Sequence, residues 1–162
     1  MNPPAKRRIT HRDLPQLFLR ARERLMAHFR RVLHHFGLTE QQWRILRALD
    51  THARLEPREL CELCQIHSSS MVGMLARMED SGWVQRVRFD GDQRRVLVTL
   101  TPKGDALIDE IAPLIEQHYR QLEETLGQPV FDDLFKTLNT FMAAEMPTEE
   151  IALPERKGGL PG

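Results

Sequence analysis

Apolar side chains recur at Leu14, Leu17, Phe18, Ala21, Leu25, Phe29, Val32 and Phe36, the three-to-four spacing of one long amphipathic helix that Gly37 ends. Thr39 follows as a cap for a second helix, TEQQWRILRALD, reaching about residue 52. Glu56 to Cys64 reads as a short third helix with Pro57 in its first turn. The fourth is His67 to Gly82, HSSSMVGMLARMEDSG, where the serines cap the start and Gly82 supplies the stop. Met71, Leu75 and Met78 fall on one face of it.

The period then changes from helical to alternating. WVQRVRF and RRVLVTL are two short strands, separated by the turn DGDQ at residues 90–93, and together they predict a β-hairpin. Thr101-Pro102 opens a fifth helix at 102–126, with a kink expected at Pro113, and Pro129 starts a sixth that reaches about residue 146. The end of the chain, PTEEIALPERKGGLPG, is rich in Pro, Gly and Glu and reads as a mobile tail over 147–162. The fold class is therefore mainly α with one hairpin. Helices two to four followed by a hairpin are the order of a winged helix-turn-helix, here residues 39–101, flanked by a helical region at 13–38 and 102–146.

That order points to DNA, and the residue types agree. On an ideal helix Ser69, Gly73 and Arg77 advance by only about 40° per step, opposite Met71, Leu75 and Met78. Small side chains let a helix backbone approach DNA, and the hydroxyls of Ser68, Ser69 and Ser70 can bond phosphates or base edges near a helix N-terminus. The alternative is an ordinary solvated face. Arg94 and Arg95 in the hairpin make a plain charged turn the weaker reading, because a planar guanidinium suits the narrow, electronegative minor groove.

Charge changes the picture in one respect. The total is zero, yet the net charge over residues 1–12, 13–38, 39–103 and 104–162 runs +4, +3, +1 and −8. Residues 1–12 are thus a basic arm, and the acidic excess belongs to the last two helices and the tail. No stretch approaches the roughly 18 apolar residues of a membrane helix, and the N-terminus lacks a signal-peptide core, so a cytoplasmic protein is expected. Nothing resembles a Gly-rich phosphate loop, a nucleophile elbow or a catalytic carboxylate pair, so neither an enzyme nor a cofactor is expected. Cys61, Cys64 and His67 suggest a metal or redox group, but zinc wants four ligands, and two small apolar side chains in a helix are the simpler reading.

The hairpin and its surroundings resemble the MarR family of transcriptional regulators. The resemblance rests on Asp92, Arg94, Leu100, Thr101 and Gly104, matching D-x-R, a strand and L-T-x-x-G, and on ARMEDSGWVQR before them. It covers residues 14–146; the stretch LTEQQWRILRAL is similar to that of the regulators of homoprotocatechuate breakdown, and the chain as a whole resembles regulators of nicotinate breakdown. It implies that Arg94 enters or skirts the minor groove, that Asp92 holds the wing's shape, and that Arg95 adds a phosphate contact. The triplet Ser68-Ser69-Ser70 departs from the family, many members of which have an arginine or aspartate beside a Ser-Thr pair.

The resemblance also implies a homodimer, with the first, fifth and sixth helices interleaved between copies. A small winged module gives too little surface to cover them all, notably Phe131, Leu134, Phe135, Leu138 and Phe141. A two-fold protein asks for a pseudo-palindromic operator in double-stranded DNA. Family members commonly bind a small aromatic carboxylate between the dimer helices and the winged module; Arg22, His28, Trp43 and Arg47 are the parts available here. A repressor is implied. An activator, or a ligand-independent or redox-responsive regulator, stays open.

Overall fold

The computed structural model describes residues 8–89, 91–147 and 152, the side chains of residues 89, 92 and 93 excepted. The basic arm expected at 1–12 and the tail expected at 147–162 lie largely outside the described residues. The order is α1 (Leu14–His35), α2 (Glu40–His52), β1 (Arg54–Leu55), α3 (Pro57–Cys64), α4 (Ser68–Asp80), β2 (Val84–Phe89), β3 (Asp92–Leu100), α5 (Pro102–Leu126) and α6 (Gln128–Ala143). The chain divides into two compact units after Gln121, within α5.

In the first unit, local chemistry sets most boundaries. Asp13 caps α1 by accepting from the Gln16 amide, and Gly37 at φ +70° turns the chain out of it. Thr39 and Gln42 form a reciprocal capping box at α2. Gln65, at φ +51°, turns the chain between α3 and α4, its side-chain amide donating to the Glu62 carbonyl at 2.7 Å. The serines of α4 do not cap it. His67 is the N-cap residue, without a side-chain bond, and Ser68, Ser69 and Ser70 occupy the first turn.

The core is built from α2, α3, α4 and the sheet: Ile45, Leu46, Leu49, Leu60, Met71, Leu75, Met78 and Val98 are almost wholly enclosed. Met74 joins the buried face of α4. From α1, Phe29 and Leu33 enter the core, and the Phe29 ring lies 5.1 Å from that of Tyr119 on α5. The earlier apolar positions of α1 are exposed in the single chain, Leu17 by 60%. α5 runs on as a single helix through Pro113. In the second unit α6 ends at Ala143, short of the expected 146, and holds an edge-on pair of rings, Phe131 and Phe135, 5.3 Å apart.

The sheet has three antiparallel strands in the order β1-β3-β2, where the alternating pattern predicts only two. Two residues are too few to show a period, so β1 is invisible in the sequence. It pairs Arg54 with Thr99 and Leu55 with Val98, fastening the base of the hairpin to the α2–α3 connection. The hairpin turn is also tighter than expected. Phe89 pairs with Asp92 after an irregularity at Arg88/Phe89, so β3 starts at Asp92, within the expected turn DGDQ. Pairing across a tight turn is a backbone property that polar side chains conceal.

Candidate nucleic-acid interface

α4 separates two chemistries. Met71, Met74, Leu75 and Met78 face the core, while Ser68, Ser69, Ser70, Gly73 and Arg77 are all exposed. A Cβ added at Gly73 would meet only the flexible end of Arg77, at 3.4 Å, so the helix surface there is open. Val72 stands out from the same side, 68% exposed, and sequence reasoning passes over it. An exposed valine among hydroxyls offers an apolar contact for a thymine methyl.

Arg94 and Arg95 are exposed on β3, on the strand and not in the turn. Arg95 is paired with Glu56, its Nε donating to Oε1 at 2.5 Å, which ties the hairpin to the start of α3. Arg86 makes a second tie, to Glu79 of α4 at 3.0 Å. Arg88 is a further exposed hairpin arginine that the motif does not mark. The Asp92 side chain lies outside the described residues. Between α3, α4 and the hairpin runs a groove of about 440 Å³ lined by Cys61, Met71, Val72, Arg86 and Val96 among others. Cys64 is buried, which pushes its thiol pKa up despite the nearby Arg44. Among the described residues no cluster of three metal-ligating side chains occurs.

A second cavity, of about 210 Å³, opens between α1, α2 and α5. Arg22, Trp43 and Arg47 line it together, alongside Phe29, Ile115 and Tyr119. His28 does not; its ring faces that of His118 at 6.4 Å. Trp43 is 8% exposed, so it serves the core and the cavity wall at once. Glu40 and Arg44 also line the cavity, and sequence reasoning misses both. Arg44 Nε is buried with no hydrogen-bond acceptor among the described residues.

Arg22 and Arg30 of α1 share two carboxylates. Arg22 donates to Glu40 at 2.6 Å and to Glu23 at 3.0 Å; Arg30 donates to Glu23 at 2.6 Å and, through Nε, to Glu40. Burial alone would raise the Glu40 pKa, but the hydrogen bonds and charges of Arg30 and Arg22 outweigh it and hold the carboxyl below its ordinary value.

Three helices, α2 to α4, with a three-stranded sheet whose hairpin follows α4, and with α4 presenting small polar residues outward, define a winged helix-turn-helix regulator of the DNA-binding class. The MarR family profile matches residues 36–95. The transcriptional regulator FarR of Neisseria gonorrhoeae is 39% identical over 110 residues, covering 68% of this chain and 75% of that protein. The homoprotocatechuate degradative operon repressor of Escherichia coli is 36% identical over 133 residues, 82% and 90% of the two chains. The chain belongs to the MarR family, a family of DNA-binding regulators and not of enzymes.

Solved structures agree. NadR in complex with 4-hydroxyphenylacetate superposes with a TM-score of 0.76 at 34% identity, covering 88% of this chain and all of that one. CouR bound to a 23-mer DNA duplex gives 0.73 at 28% identity, over 80% and 92%. Bordetella bronchiseptica BpsR, regulated in DNA binding by 6-hydroxynicotinic acid, gives 0.72 at 25%, over 81% and 99%. No helix among the described residues is long and apolar enough to cross a membrane.

Proposed function

We propose that the chain acts in the cytoplasm as a homodimeric repressor of an operon for aromatic or N-heteroaromatic acid breakdown. Each copy lays α4 in the major groove of one half of a pseudo-palindromic operator and sets the hairpin, through Arg94, against the flanking minor groove. The observation that carries this reading is the outward face of α4, where hydroxyls and a glycine stand where a buried or merely solvated helix would have no need of them. Ser68, Ser69, Ser70, Gly73 and Arg77 supply the helix contacts, Asp92 shapes the wing, and Arg95 adds to the backbone contacts.

The exposed apolar side chains of α1 and α6, among them Leu17, Phe18, Leu134, Phe135 and Phe141, support dimerisation through these helices. An effector carboxylate, of the kind that a hydroxynicotinate or a hydroxyphenylacetate carries, fits the α1/α2/α5 cavity, where Arg22, Arg44 and Arg47 supply positive charge and Trp43 and Tyr119 supply rings. His28, a candidate by resemblance, is not among the residues that line this cavity. The effector lowers operator affinity to the extent that it prefers the arrangement unable to bind DNA.

The test is selection of fragments from the source genome by the purified protein, followed by titration at several salt concentrations with and without aromatic acids. Binding to one palindromic site that weakens steeply with salt and is relieved by an acid supports the reading. Sedimentation as a folded monomer at micromolar concentration refutes the dimer, and affinity indifferent to DNA sequence refutes the repressor.

A further inference from the structure

We propose that Glu40 is a built-in competitor of the effector: its carboxylate holds the Arg22 guanidinium that an organic acid entering the α1/α2/α5 cavity would bind. The inference rests on the effector reading above and adds how that site is regulated. Glu40 and Arg22 both line the cavity, with Arg22 Nη2 donating to Glu40 Oε2 at 2.6 Å. Among the described residues Glu40 is the one acid in that lining, against the cations Arg22, Arg44 and Arg47, so the wall as a whole favours an anion.

An exchange of partners needs a place for each charge to go. Arg30 also bonds both Glu23 and Glu40, so when Arg22 turns to an incoming carboxylate neither glutamate is left unpaired. The Arg22 side chain is 45% exposed and moves without a large desolvation cost, whereas Glu40, at 22%, is held in place by its second arginine. Arg44, on the same wall, gives the acid a further cation. The exchange has a mechanical result. Arg22–Glu40 is one of two ion pairs joining α1 to the first turn of α2, so occupancy of the cavity loosens the head's attachment to α1.

The experiment is calorimetric titration of the full chain with 4-hydroxyphenylacetate, benzoate and 6-hydroxynicotinate, for the wild type, Glu40→Gln, Arg22→Ala and the double variant. Removing the competing charge should tighten acid binding about fivefold, Arg22→Ala should weaken it, and Glu40→Gln should bring no gain once Arg22 is absent. If Glu40→Gln does not fold, Glu40→Asp, whose shorter arm loosens the grip on Arg22, should show a smaller gain of the same sign. Wild-type binding that neither variant improves, or a gain that persists without Arg22, overturns the competitor while leaving the effector reading intact. Absence of binding by wild type and variants alike overturns both.

Discussion

Gly104, in the first turn of α5, stands so close to the carbonyl of Trp83 that a Cβ built on it would lie 2.1 Å from that oxygen. The approach is held from both sides. Thr101 donates its backbone N–H to the same Trp83 carbonyl at 3.1 Å, donates its hydroxyl to the Gly82 carbonyl at 2.5 Å, and accepts the Gly104 amide at 3.0 Å. No rotamer relieves a clash with backbone, so Gly104→Ala must push α5 away from the start of the hairpin. A loss of about 1–3 kcal/mol is expected in chemical denaturation. A change within about 0.5 kcal/mol, the range of a neutral surface substitution, would contradict the packing described.

Gly73 is the opposite case. Its surroundings admit a methyl, and alanine is the better helix former, so Gly73→Ala should raise stability by about 0.5–1 kcal/mol. If the α4 backbone approaches DNA there, the same change should lower operator affinity by about tenfold, the size of one mismatched base pair. Stability and affinity moving in opposite directions is the expected signature. Unaltered affinity in the more stable variant would remove Gly73 from the interface.

Arg94→Ala should cost operator binding about 1–3 kcal/mol while leaving the chain folded, since the residue is exposed on β3. Binding measured against salt distinguishes its role. A flatter salt dependence with sequence preference intact marks a phosphate contact, and a loss of preference at flanking A·T pairs marks minor-groove reading. Equal affinities at physiological salt would exclude both.

The Glu40 carboxyl is held below its ordinary pKa in the folded chain, so between that value and the unfolded one, about 4.3, the unfolded chain binds more protons. Its contribution to stability is complete above about pH 5 and is lost as the pH falls through the folded value. Glu40→Gln should therefore flatten the fall of the urea midpoint in acid relative to wild type, with the other carboxylates common to both. Parallel curves down to about pH 3 would mean that the ion pairs leave the Glu40 titration unshifted.

How far this was readable beforehand depends on the kind of signal. Helix ends marked by Thr39, Gly37 and Gly82 fall where the sequence puts them, because caps and left-handed turns are local chemistry. The α1 stripe was less informative. Counting Val32 as a face residue obscured Leu33, the side chain wholly enclosed, because periodicity finds a face without saying which neighbour covers it. Trp43 and Arg47, one turn apart on α2, are candidates in the sequence because the family resemblance implies an effector site between the dimer helices and the winged module. Glu40 and Arg44 are not, since their role depends on α1 and α5 meeting α2, a tertiary fact. The family motif pointed to Gly104 without its reason, which lies in the Trp83 carbonyl.

The two-residue strand β1 pairs with β3 only at Val98 and Thr99. Beyond that clasp β3 pairs with β2 alone, and side chains tie the hairpin to α3 and α4 through Arg95–Glu56 and Arg86–Glu79. On the function proposed above, exposed hairpin positions such as Arg88 and Arg94 could change with the operator while Val98 and the enclosed half of the sheet keep the head folded. On that reading, a lineage carrying this architecture would shift its target sites at a few exposed hairpin positions without disturbing the buried Val84, Leu97 and Val98.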